Sequence, residues 1–128
     1  MSTSEIPHPI GAAPGLPVFD ASVLGAMFGN EPALIASVLQ TFAAGTRANL
    51  AELALANAAQ DLSAVAALAH KVAGASRMSG ALALGDCAGK LEHAAKQCDA
   101  EALSQAVADL AAQWALTEVA IAQRLDLP

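Results

Sequence analysis

The recurrence of apolar residues at helical spacing constrains this chain more than any other feature. At about 100° per residue, Leu62, Val65, Leu68, Ala69, Val72 and Ser76 fall on one side of a helix. That helix opens at Gln60 or Asp61 and closes near Met78 to Gly80, where glycine suits a C-terminal cap. Three further segments carry the same period. From Pro32 to about Ala58 the stripe is Leu34, Val38, Phe42, Leu50, Leu53 and Asn57, weakened in its middle by Gly45 and Thr46. From Ala81 to Gln97 it is Leu84, Cys87, Leu91 and Ala94, reaching on to Cys98. After the N-cap Asp99 it is Leu103, Val107, Leu110, Trp114, Thr117 and Ile121, ending near Arg124. A short apolar helix is expected between the N-cap Asp20 and Phe28, closed by Gly29-Asn30. Hydrophobic residues make up 55% of the chain, much of it alanine, and aromatics only 3%. Helix formers so dominate over strand formers that an all-α protein follows. Four long amphipathic helices with short connections imply an antiparallel up-down four-helix bundle, with the short extra N-terminal helix covering one end.

At 128 residues the chain has the length of one domain. Residues 1–17 hold Pro7, Pro9, Pro14 and Pro17 with Gly11 and Gly15, the composition of a flexible linker or tail. His8 reads as a solvated residue of that tail, and residues 18–128 form the bundle. The net charge is −6, with no Lys/Arg stripe and no aromatic platform, which argues against nucleic-acid binding. No apolar run is long enough for a membrane span, and no signal peptide is evident, so a cytoplasmic setting is expected. On one helix Cys87 and Cys98 would lie roughly 16 Å apart, too far for a disulfide. Both read as small buried core residues. His70, His93, Cys87 and Cys98 lack metal-ligand spacing, and no metal site is expected.

His70 lies roughly 130° from the middle of its helix's apolar stripe, so it should face solvent. Its expected neighbours are small: Ser63, Ala66 and Ala67 on one side, Ala73 and Gly74 on the other. Gly74 costs a helix about 1 kcal/mol relative to alanine, which suggests a close approach to the backbone there. A neutral imidazole exposed in such a clearing is a good nucleophile. The chain has no glycine-rich phosphate loop, so ATP hydrolysis and self-phosphorylation are not expected.

His70, Val72, Gly74, Gly80 and the pair Leu91-Glu92, with Ala69, Ala81, Leu82 and Cys87, form a pattern that resembles the histidine-containing phosphotransfer (HPt) domain of bacterial multistep phosphorelays. The family motif reads roughly His-x-Leu-Lys-Gly, then Gly six residues on, then Leu-Glu on the next helix. The resemblance extends through roughly residues 20–124 and is most specific over 69–95. It implies that His70 accepts a phosphoryl group from a receiver-domain aspartate and passes it to another receiver. The chain would then be a phosphocarrier without kinase activity of its own. It would bind no cofactor, and Mg²⁺ would come from the receiver. Response-regulator receiver domains are the implied partners, and a monomer is implied; the chain is read either as a free-standing protein or as a module of a hybrid histidine kinase. A non-phosphorylated helical adaptor that binds a signalling partner is the alternative, with a metal site a weaker rival.

The resemblance also assigns roles to neighbouring residues. Ala73 stands where the family carries a phosphate-side lysine, so Ala73→Lys is expected to raise phosphoryl occupancy or lifetime. Arg77, nearly in line with His70, Lys71, beside it but turned away, and Lys96 on the next helix are the cations that could compensate. Counted from the hairpin turn near Ser79-Gly80 rather than from the resemblance, Gly89 and Lys90 are expected roughly opposite His70, and Gly85, Ala88, Gly89, Glu92 and Lys96 form a stripe off the core face. Glu92 is either a surface carboxylate or a hydrogen-bond acceptor for His70. Gly85 and Gly89 serve either close helix packing or docking. Leu24, Met27 and Phe28, with Ala66, Ala67 and Gly89, are the candidate docking residues, the first three being equally able to cap the bundle end.

Overall fold

The computed structural model describes residues 16–125 of the chain. The expected linker, residues 1–17 with His8, lies almost wholly outside the described residues. Among those described there are five helices and no strands: α1 (Ala21–Phe28), α2 (Pro32–Ala58), α3 (Leu62–Ser79), α4 (Leu82–Gln97) and α5 (Ala100–Leu125). The all-helical expectation holds. α2 packs on α3, α3 on α4 and α4 on α5, while α1 lies against α3 and α2.

Local sequence sets the helix ends. The Asp20 carboxylate accepts the Ser22 N–H at 3.0 Å, and Asp61 accepts the Ala64 N–H at 3.1 Å, each satisfying a free amide of a first turn. Asp99 does the same for Ala102 at 3.1 Å. Gly80 ends α3 with φ +87°, and its N–H returns to the Ser76 carbonyl. The turn after α3 is also an anchor. The Asp20 N–H donates to the Gly80 carbonyl at 2.7 Å, and the Ala83 N–H donates to the Pro17 carbonyl at 3.0 Å. These bonds fasten the entry of α1 to the α3–α4 turn.

The core is built from Leu24, Leu39, Val65, Val72, Leu84, Leu91 and Leu110, all fully buried or nearly so. Phe42 of α2 meets Trp114 of α5 edge to face, with ring centroids 6.2 Å apart. Alanine and glycine line the seams between these larger residues. Ala69, Ala73 and Ser76 of α3 are buried, as are Gly85, Ala88 and Ala95 of α4. A methyl group on Gly85 would sit 3.5 Å from the Ala73 carbonyl and 3.1 Å from Arg77 Cγ. Gly85 therefore serves close packing of α3 on α4.

The inner faces differ in detail from the expected stripes. α2 turns Ile35 and Leu39 inward, leaving Leu34 exposed and Val38 half-buried, because its buried face is offset by one residue at that end. Thr46, in the middle of α2, is buried. Cys98 is exposed, whereas Cys87 is buried as expected. The reason is that Cys98 leaves α4 in the left-handed region, φ +53°, and abandons the helical period that would carry it inward. Burial pushes the Cys87 thiol up to about 11, with the neighbouring Asp86 charge adding to the effect, so it stays a protonated core residue.

A β-carbon at Gly80 would run into the Asp20 backbone oxygen, in a backbone conformation that disfavours side chains. Gly80→Ala is expected to cost about 2 kcal/mol or more by urea denaturation. Gly45→Ala, where nothing lies within 4 Å of the added carbon, should be neutral or stabilise by up to about 1 kcal/mol.

Candidate functional site

His70 projects from the middle of α3 with its side chain 75% exposed. Across the seam stands Glu92 of α4, only 18% exposed, with Oε1 3.2 Å from His70 Nδ1. The other carboxylate oxygen, Oε2, accepts from Lys96 Nζ at 2.8 Å, one turn further along α4. The three side chains form a chain of contacts, Lys96 to Glu92 to His70. Arg77 of α3 reaches the Gly85 carbonyl at 3.4 Å. Residue numbers thus rise on α3 as they fall on α4, and the two helices run in opposite directions.

The Lys96 ammonium, bonded to Glu92, holds that carboxyl below the ordinary glutamate range, and the His70 contact works in the same direction. Glu92 is therefore ionised at neutral pH and can only accept. The imidazole must then present Nδ1–H to Glu92. In the neutral ring that leaves the lone pair on Nε2, the nitrogen turned away from Glu92.

A groove along α3 and α4 surrounds the imidazole. Ala66, Ala67 and Lys71 line it from α3, Glu92 and Lys96 from α4. Leu62, Ser63, Ala95 and Cys98 complete it. Gly74 is exposed one turn below His70, and nothing lies within 4 Å of where its β-carbon would be. The clearing expected around His70 is thus present, though Ala66 forms part of its floor and is buried.

Several expected site residues lie elsewhere. Ala73 is not on the open face: it is buried, turned into the α3–α4 seam. The buried face of α3 includes Ala66 and Ala73 because α4 packs so closely, a shift that the small side chains themselves permit. Glu92, not Gly89 or Lys90, stands opposite His70. Gly85 and Ala88 belong to the buried seam rather than to an outer stripe. Arg77 lies across α4, where a β-carbon on Gly89 would meet its Nη2 at 3.1 Å. Arg77, Gly89 and Lys90 line a second groove, between α4 and α5, and not that of His70. Lys90 pairs there with Asp86 at 3.2 Å.

The expected docking residues separate in the same way. Leu24 is fully buried under the bundle end and cannot be touched by a partner. Phe28 is half-buried, packed on the core, and borders a further groove with Val38, Phe42 and Met78. Only Met27 of the three is an exposed large apolar side chain, at 54%. Reading the sequence missed Ala95 and Cys98 in the His70 groove. The position of Ala95, three residues after Glu92, could have indicated the former; nothing in the helical period indicates Cys98.

The family model for the Hpt domain matches residues 37–125. The chain belongs to the Hpt domain family. No curated protein matches the chain, and no solved structure does. Hpt domains serve phosphotransfer in phosphorelays, interact with receiver domains, and are phosphocarrier modules rather than kinases. In this Hpt domain the matched region takes in α3 and α4 entirely, and with them His70, Glu92 and Lys96. No single helix among the described residues is long and apolar enough to cross a membrane.

The depressed Glu92 carboxyl has a pH signature. A group held lower in the folded state stabilises that state above its unfolded value, and the contribution fades as the pH falls through the folded value. Carbon-detected NMR titration should place the Glu92 midpoint below that of an ordinary glutamate. Lys96→Gln should raise it more than His70→Gln does, since the lysine bond is the largest cause. Burial of Ala73 also sets the effect of Ala73→Lys. Its stem would overfill the seam, and the melting temperature should fall by the equivalent of about 1–3 kcal/mol. Any gain in phosphoryl occupancy is to be read against that loss.

Proposed function

We propose that this Hpt domain accepts a phosphoryl group on His70 Nε2 from a receiver-domain aspartyl phosphate and passes it to a second receiver. The observation that carries the reading is the His70–Glu92 contact. It fixes the tautomer and points the free lone pair outward from an exposed position on a rigid helix. Nε2 attacks phosphorus in line, the N–P bond forming as the P–O bond to the donor aspartate breaks. The aspartate leaves as a carboxylate with the bonding pair. The ring keeps its Nδ1 proton, and Glu92 stabilises the positive charge that the ring gains. Return transfer to a second aspartate is the same step reversed.

The surroundings support an incoming protein. Gly74 weakens α3 by about 1 kcal/mol, and among the described residues nothing lies within 4 Å of where its side chain would begin. A partner surface approaching the helix there would use it. The exposed Met27 and the edge of Phe28 offer apolar surface at the end of the bundle near α1. Mg²⁺ enters with the receiver, which holds the aspartyl phosphate. In this reading residues 18–128 form the Hpt unit, the four long helices make an antiparallel up-down bundle, and residues 1–17 are a flexible linker or tail, the unit being either free-standing or a module of a hybrid kinase. The unit works as a monomer in the cytoplasm.

Incubation with a phosphorylated receiver and Mg²⁺ should put acid-labile phosphate on the wild-type protein and none on His70→Gln. Binding of receivers without any label on the wild type would favour the adaptor reading instead.

A further inference from the structure

Phosphorylation of His70 would place a doubly charged group in the groove that already holds the Glu92 carboxylate. Like charges so close disfavour the loaded state unless a cation offsets them. Four cations on α3 and α4 are near enough to weigh. Arg77 is drawn away to the Gly85 carbonyl and faces the α4–α5 groove. Lys90 is paired with Asp86 in that same groove. Lys71 and Lys96 line the His70 groove. Of the two, only Lys96 is tied to the imidazole, through a single carboxylate: Nζ to Oε2 at 2.8 Å, then Oε1 to Nδ1 at 3.2 Å.

We propose that Lys96 is the charge-compensating residue of this site, its ammonium held by Glu92 at rest and shared with the phosphoryl group once His70 is loaded. The inference rests on His70 being the phosphoryl acceptor. The Lys96 side chain is 62% exposed, so it has room to swing without disturbing the core. An ammonium on a flexible four-carbon stem carries three donors, enough to keep one bond to Glu92 while making another. The resting pair does a second thing. The Lys96 bond to Oε2 steadies the carboxylate whose Oε1 accepts from the ring's Nδ1–H. Lys96 therefore acts through Glu92 before transfer and on the phosphoryl group after it. A lysine arriving from α4 also fits the packing, because the α3 position that faces α4 one turn from His70 is occupied by the buried Ala73.

The test loads the full chain with phosphoramidate, a small phosphoryl donor that needs no receiver, and follows decay of the phosphohistidine by phosphorus NMR. Lys96→Gln should shorten its half-life by about two- to fivefold, the range set by partly exposed charge pairs. Lys96→Arg should restore most of it, and added salt should narrow the gap between wild type and Lys96→Gln. The phosphorus resonance should shift in Lys96→Gln, which a merely structural role would not cause. Arg77→Gln and Lys90→Gln, in the α4–α5 groove, should decay like wild type, and Lys71→Gln should shorten the half-life less than Lys96→Gln does. Equal decay of wild type and Lys96→Gln, or an equal effect from Lys71→Gln, would overturn the assignment while leaving His70 as the acceptor. A wild-type protein that takes no label from either phosphoramidate or a phosphorylated receiver would overturn both.

Discussion

The close approach of α3 to α4 is the constraint on which the site depends. Glu92 can reach the His70 ring only because the seam beneath them is made of alanine, serine and glycine. At Gly85 even one added carbon would crowd the Arg77 stem and approach the Ala73 carbonyl. Larger residues along this seam would hold the helices apart and open the 3.2 Å contact between carboxylate and imidazole. Packing and chemistry are in this sense one feature. The alanine content that makes the chain so helical also sets the interhelical distance, and that distance sets the tautomer of the His70 ring.

Much of this was legible in the sequence. The element count, the caps at Asp20, Asp61 and Asp99, the glycine at the α3–α4 turn and the exposure of His70 all follow from local rules that tertiary contacts did not overturn. Those rules work because each concerns a backbone group or one helix's polarity. The differences on α3 and α4 share one cause. A helical wheel centred on large apolar residues cannot tell which small residues are inside. Ala66, Ala73, Gly85 and Ala88 are buried because a neighbouring helix comes close enough to cover them, not because their own side chains drive burial. For Leu24 docking and capping of the bundle end were both open, and its burial favours capping. Its helix is short and mostly apolar, so periodicity could not say which of its residues faced inward. Cys98 illustrates a third limit, since one left-handed residue ends the period that was extrapolated to it.

Register was the finer problem. Counting back from the turn at Ser79-Gly80 places Gly89 or Lys90 opposite His70, while the structure places Glu92 there. The difference of two to three residues amounts to most of one helical turn, and it decides whether an ionised acceptor or a glycine faces the imidazole. The Leu-Glu pair of the family pattern carried the correct pairing when geometric counting did not. A pattern records where side chains meet, whereas a count assumes a tightness of turn that this chain does not have.

In the proposed reading the site leaves much of its machinery to its partners, and its architecture explains how. An exposed nucleophile on a rigid helix needs no lid, because the partner surface excludes water when it docks. It needs no resident metal if the donor brings one. What the chain must hold in advance is small: the ring's tautomer, its direction, and a counter-charge that can move. Glu92 provides the first two through one hydrogen bond. The third cannot be rigid, since the charge it answers appears only after transfer and must be released on the next. A partly exposed lysine anchored by an i,i+4 pair has that mobility, whereas a guanidinium laid across a glycine notch, as Arg77 is, does not.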